Sequence, residues 1–204
     1  KINFELGVGK SYNNIGLIYQ DIADYDKAIY YHKLSLKIYE KLDDKYSMCS
    51  VLNNIGLYYS NKYDLKNAVK YFNLSYKICK KLGYKRGVGY IMNNIGIIYG
   101  ARGEYNKALE YYNEALKIRR EIGEDRGVAT TIGNLGVIFK NMGIYRQALK
   151  YQNESLELRK KIGDKRGIGH SLLNIGITFS NCNDTSKALY HLNEAYKIFN
   201  KIKD

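Results

Sequence analysis

The residues that first suggest chemistry lie near the start of the chain, where Gly7-Val8-Gly9-Lys10-Ser11 has the ending of a phosphate-cradling loop. Such a loop wraps phosphate oxygens in backbone N–H groups. It needs another glycine five residues before Gly9, where Phe4 stands, and it follows a buried strand. No strand pattern precedes it, and the register recurs as Arg86-Gly87-Val88-Gly89-Tyr90 and Arg166-Gly167-Ile168-Gly169-His170. It therefore reads as a linker entering a helix. His32, His170 and His191 have no cysteine or carboxylate at ligand spacing, which speaks against a metal. Cys49, Cys79 and Cys182 fall in three different places of the pattern described next, so they are expected to be reduced thiols that share no site. Three glycosylation-like strings begin at Asn73, Asn153 and Asn183, and the first two lie inside predicted helices. With no acid–base pair standing out, the expectation is no catalytic residue, no metal, no cofactor and no enzyme.

The elements that must position any functional side chain declare themselves by repetition. Gly16, Gly56, Gly96, Gly136 and Gly176 are spaced by 40 residues, each preceded by Ile or Leu. An aromatic follows each glycine by three residues (Tyr19, Tyr59, Tyr99, Phe139, Phe179) and an alanine by twelve (Ala28, Ala68, Ala108, Ala148, Ala188). Fixed-period self-similarity of this length marks a solenoid. Each unit holds two amphipathic helical stretches, for example around Tyr12, Ile15 and Tyr19 and then from about Tyr25 to Leu42, joined by a turn at 21–24. A mid-helix glycine costs about 1 kcal/mol relative to alanine, so five of them imply that the two helices approach closely there. The units run over residues 6–45, 46–85, 86–125, 126–165 and 166–204 as one array. Residues 1–5 align with Lys81–Lys85, the tail of a unit, so the chain reads as a segment of a longer protein.

These columns resemble the tetratricopeptide repeat family, as in Met92, Ile95-Gly96, Tyr99, Gly103, Ala108, Tyr112 and Ala115 of the third unit. The likeness covers essentially the whole chain. Its 40-residue unit is similar to those of kinesin light chain, Pins-type adaptors and bacterial signalling regulators. Six residues are added near Lys161–Gly167, and the proline usual after the second helix is absent. The resemblance implies an all-α, right-handed α-solenoid of five helix-turn-helix repeats acting as a protein-binding scaffold within a larger signalling protein.

One column asks for a functional explanation. Asn14, Asn54, Asn94, Asn134 and Asn174 put a mediocre helix former at the same register of every first helix. Four residues earlier stand Lys10, Ser50, Tyr90, Thr130 and His170. By resemblance, both columns line the groove, where an asparagine ladder holds the main chain of an extended peptide or helix. A side-chain amide offers donor and acceptor together, matching any backbone. Alternatively, the asparagines bond to neighbouring helices and the array is structural or self-associating through its terminal repeats. A second asparagine column, Asn13, Asn53 and Asn93, breaks at Gly133 and Leu173.

The net charge of +13 raises nucleic acid as a third possibility. The excess sits in residues 46–85 and 126–165 and is mostly lysine on second helices and linkers, such as Lys66, Lys70, Lys77, Lys80, Lys81 and Lys85. A nucleic-acid binder converges its cations on one surface with stacking aromatics. Scattered lysines predict a solvated outer face, with no nucleic-acid or membrane partner. The groove itself reads as nearly uncharged, with only Lys10 and His170, so capture of an acidic tail is not expected. No long apolar run or signal core occurs, and the odd number of scattered cysteines points to the cytoplasm.

Overall fold

The computed structural model describes residues 2–203. They form α1 (Ile2–Asp21), α2 (Tyr25–Lys41), α3 (Lys45–Asn61), α4 (Leu65–Lys81) and α5 (Lys85–Ala101). α6 (Tyr105–Glu121), α7 (Asp125–Asn141), α8 (Tyr145–Lys161), α9 (Lys165–Asn181) and α10 (Thr185–Lys203) follow. The architecture is all-α, with five helix-turn-helix repeats in tandem. The odd-numbered helix of each pair is its first helix.

The punctuation has half the period of the sequence repeat. Every connection is three residues long, and its middle residue has a left-handed backbone: Ala23, Asp43, Tyr63, Gly83, Gly103, Gly123, Gly143, Gly163 and Asn183. Five of the nine are glycines, the residue that adopts this conformation without a Cβ penalty. At the first turn the Ala23 N–H reaches the Gln20 carbonyl and the Asp24 N–H reaches that of Tyr19, closing α1 as a Schellman motif. Asp24 then starts the next helix, its carboxylate accepting the Lys27 N–H at 3.2 Å. Asp44, Asp64, Asp164 and Asp184 repeat that cap.

The expected linkers are thereby shortened. Gly87–Gly89 and Gly167–Gly169 lie inside α5 and α9, and Gly7–Gly9 lies inside α1. The six added residues near Lys161–Gly167 lengthen the flanking helices to 17 residues each instead of making a loop. Ile2–Glu5 is helical too, and does not copy the turn seen at Leu82–Tyr84.

The glycine column does mark close helix contacts. A Cβ on Gly56 would lie 2.6 Å from the Phe72 ring, and one on Gly176 would lie 2.8 Å from Leu192 Cγ. On Gly136 it would meet Gln152 Cγ at 2.7 Å and the Ala148 carbonyl at 3.2 Å. Next to this contact, each hairpin stacks an aromatic of its first helix on a ring of its second. Tyr19–Tyr31, Tyr59–Tyr71, Tyr99–Tyr111, Phe139–Tyr151 and Phe179–His191 have centroids 5.2–5.5 Å apart. Toward the other end of the hairpin, Ser35, Ser75 and Ser155 donate to the carbonyls of Gly9, Cys49 and Ala129 at 2.6–2.7 Å.

The chain divides into two compact units, Lys1–Ile98 and Tyr99–Asp204. In the first, Tyr39, Met48, Val51 and Ile55 form a core, and α3 packs against both α2 and α1. In the second, Tyr112, Leu116, Val128, Ile132 and Leu135 do so, and α9 packs against both α8 and α7. Within each unit, neighbouring first helices therefore share a face. No helix among the described residues is long and apolar enough to cross a membrane.

One expectation fails here. Cys49 and Cys79 do share a site: their Cα atoms are 5.9 Å apart and their sulfurs are joined as a disulfide. They occupy two columns that also face each other in the first and last hairpins, where Gly9 faces Tyr39 and Gly169 faces Phe199. Counting columns separately concealed that pairing. Cys182 is exposed and free.

Candidate functional site

The ten candidate groove residues follow one another at helical spacing, so each first helix presents a pair of them four residues apart. The structure gathers most of them into two clefts, one in each unit. In the second unit a cleft of about 580 Å³ is lined by Thr130, Asn134, His170 and Asn174. In the first, about 200 Å³ is enclosed by Ser50, Asn53, Asn54, Tyr84, Tyr90 and the Cys49–Cys79 bridge. Lys10 and Asn14 are exposed and line neither. Asn94 sits beside the smaller cleft, bonded to Asn53.

The asparagines do not behave uniformly. Asn54 Nδ2 donates to Asn13 Oδ1 at 3.0 Å, and Asn94 Nδ2 donates to Asn53 Oδ1 at 3.0 Å. Each bond ties one first helix to the preceding one, so the two asparagine columns work as a pair. Asn13 Oδ1 also lies 3.0 Å from His32 Nδ1. An amide oxygen only accepts, so that nitrogen carries the proton. Burial lowers the His32 pKa to about 4, and the ring is neutral at ordinary pH.

At the fifth repeat the pairing lacks its acceptor, because the partner column holds Gly133. The Asn174 side-chain amide makes no hydrogen bond among the described residues. The space left open by Gly133 is where the larger cleft forms, and its walls are not what the sequence suggested. Arg159 reaches in from α8, and Arg126 and Arg166 stand at the starts of α7 and α9. The cleft is basic, which corrects the expectation of a nearly uncharged groove. That expectation considered only side chains on the groove face of first helices. Arg159 belongs to a second helix, and Arg126 and Arg166 each lie one turn before the Thr130 and His170 register.

The charges are unevenly compensated. Arg126 pairs with Asp164 at 3.0 Å. Burial by itself would raise the Asp164 carboxyl. The Arg126 hydrogen bond, the Gly167 N–H and nearby positive charge outweigh it and hold the pKa below the usual range. Arg159 Nη1 donates to the Gly167 carbonyl at 2.5 Å and to Ser171 Oγ at 3.2 Å. Its pKa is lowered chiefly by burial, yet a guanidinium keeps its charge at neutral pH. Burial, aided by the charges of Arg159 and Arg166, also lowers His170, which favours the neutral ring.

A model of the tetratricopeptide repeat family matches residues 7–81, 47–121 and 127–201. The chain belongs to that family. Its fold is similar to the nearly identical TPR-like repeats of a putative kinesin light chain from Podosopora anserina. That likeness has TM-score 0.72 and 14% identity, over 95% of each chain. It is also similar to a Rap protein complexed with competence and sporulation factor, with TM-score 0.86, 16% identity, and 95% of this chain against 54% of that one. A third likeness is to the Rap conjugation gene regulator of plasmid pLS20, solved with the Phr* peptide: TM-score 0.83, 17% identity, 95% of this chain against 53% of that one. This chain thus spans about half the length of the two Rap proteins. No curated protein matches the sequence.

Proposed function

We propose that the protein is an interaction scaffold that holds an extended peptide segment of a partner on the face shared by its first helices. The observation that carries this reading is the cleft of about 580 Å³ lined by Thr130, Asn134, His170 and Asn174. That volume suits a few residues of peptide, and the Asn174 amide at its wall has both donor and acceptor to offer a main chain. Two solved structures of similar fold were determined with a regulatory factor or peptide bound, which is consistent with this use of the architecture. In the first unit the bonds from Asn54 to Asn13 and Asn94 to Asn53 favour a different role for the same column, which is stitching repeats together. Peptide capture is therefore assigned to the second unit. No catalytic role is assigned, and the cytoplasm is the compartment this function fits.

The test is selection of binders from a displayed library of random peptides. Those recovered should lose at least tenfold in affinity when Asn134 and Asn174 are both changed to alanine. Neutralising Lys70, Lys77 and Lys81 on the second helix α4 should leave them unaffected at physiological salt. Selected peptides that bind the double variant normally would remove the cleft from the function. Duplex DNA bound with a steep log–log salt slope would move the function to the lysines.

A further inference from the structure

Arg119 and Arg159 occupy the same column of successive repeats, and comparing them exposes a difference. Arg119 is 2% exposed, and its Nη1 donates to the Gly127 carbonyl at 2.8 Å and to Thr131 Oγ1 at 2.7 Å. Its charge is met by Glu124, with Nε and Oε2 3.4 Å apart. Arg159 repeats the carbonyl and hydroxyl contacts but not the ion pair. The residue corresponding to Glu124 is Asp164, one methylene shorter, and its carboxylate goes to Arg126. Arg159 forms no ion pair among the described residues, and its buried Nε has no hydrogen-bond partner.

The surroundings add donors and no further acceptor of charge. Arg159 Nη2 lies 3.7 Å from where a Cβ on Gly133 would stand, facing the space that glycine leaves open. Gln152, 1% exposed and lining the same cleft, accepts at Oε1 a hydrogen bond from the Thr178 hydroxyl at 2.9 Å. Its Nε2 is buried and has no acceptor. The Asn174 amide has lost its partner to the same glycine. Arg166 is exposed at the rim and forms no ion pair among the described residues. Three guanidiniums thus share one carboxylate, and the buried N–H groups of Arg159 and Gln152 that lack an acceptor belong to residues lining this cleft. A polar group buried without a partner is costly, and an acceptor held in this cleft would lower that cost.

We infer that this cleft binds an oxyanion, a carboxylate or phosphate, carried by the peptide that the scaffold holds, with Arg159 and Arg166 as its charge partners. Guanidinium donors match planar or tetrahedral oxyanions two at a time, and the bonds gain strength from the charge. Asn174 supplies a neutral donor beside them. Gly133 is the determinant: the corresponding residues of the first three repeats are asparagines, which in two of them occupy the next ladder amide. This inference rests on the peptide reading above for the carrier of the anion, but not for the anion site itself.

The experiment uses the full chain and dye-labelled peptide pools with randomised flanks and amidated ends. One central position holds Glu, phosphoserine or Gln, and a fourth pool holds Gln with a free C-terminal carboxylate. Fluorescence anisotropy should give at least tenfold tighter binding for one or more anionic pools than for the amidated Gln pool, and the strongest pool identifies the source of the oxyanion. The preference should fall to within about twofold in Arg166→Gln, with binding of the Gln pool retained. Gly133→Asn should abolish it as well by refilling the gap and offering Asn174 an acceptor. Both variants keep the Arg159 contacts on which folding depends, and their melting curves check this. Equal binding of anionic and neutral pools by the wild type would overturn the oxyanion site and leave peptide capture standing. Failure of every pool would overturn peptide capture, and inorganic phosphate then decides the remaining question. A phosphate-induced shift of the Arg159 Nε–H resonance, absent in Gly133→Asn, supports the site with a free anion as its source. No shift overturns it.

Discussion

Glycine at the helix-crossing position has a cost in helix propensity and a return in packing, and the two can be separated by substitution. Gly136 faces Gln152 Cγ at 2.7 Å and the Ala148 carbonyl at 3.2 Å, so nothing nearby can move aside without disturbing backbone. Gly136→Leu should therefore destabilise the protein by about 1–3 kcal/mol or more. Gly7 lies in a helix too, but nothing approaches its would-be Cβ within 4 Å. Gly7→Ala should leave stability unchanged or raise it by up to about 1 kcal/mol, because only the propensity term remains. Denaturant midpoints of the two variants should move in opposite directions. A neutral Gly136→Leu would mean that the hairpins are looser than the stated distances.

At the scale of the helix, the asparagine columns divide between joining repeats and leaving a donor exposed. Asn54→Ala removes a part-buried hydrogen bond between α1 and α3 and should cost about 0.5–1.5 kcal/mol. Asn174→Ala removes no bond to a described residue and exchanges a weak helix former for the best one, so stability should hold or rise slightly. Thermal melts of the pair check this without any ligand. Equal losses would show that all five asparagines stitch the array, and the binding role of Asn174 would lose its support. The turns show why such helices can be spaced so regularly. One aspartate, as at Asp24 or Asp164, ends one helix with its N–H and begins the next with its carboxylate.

For the whole molecule, the buried imidazole of His32 predicts how stability depends on pH. The ring is shut between α1 and α2, and burial lowers its pKa from 6.5 to about 4. In the unfolded chain it takes up a proton as pH falls below about 6.5, while the folded chain resists until about 4. Its contribution to stability is therefore complete above pH 6.5, declines between 6.5 and 4, and stays level below that. The loss is on the order of 3 kcal/mol. Urea denaturation at pH 7 and pH 4.5 should show this loss in the wild type and less of it in His32→Phe, the substitution that copies Phe72 of the next repeat. Identical pH profiles would mean that other groups carry the acid sensitivity. The net charge of +13 adds a general repulsion that salt should relieve in both proteins alike.

The repeat, its two helices, the close glycine crossing and the regular spacing of the asparagine column along the first helices were legible in the sequence by itself. All of them depend on residue type at fixed spacing, and five copies of one pattern average out local exceptions. What departed from the pattern needed the tertiary structure. Gly133 counted in sequence as a gap that weakened a column; in space it is the opening that a guanidinium faces. Arg159 and Asn174 stand fifteen residues apart on different helices, and only the packing of α9 against α7 and α8 places them on one cleft. The pairing of Cys49 with Cys79 was hidden for the same reason, since their columns meet across a hairpin and not along a helix. Periodicity reports what each repeat shares, whereas a binding site is made where repeats differ and their differences meet. Whether a charge is neutralised depends on distances of a few ångströms between side chains. In this chain Glu124 stands 3.4 Å from the Arg119 guanidinium, whereas Asp164, one methylene shorter, pairs with Arg126.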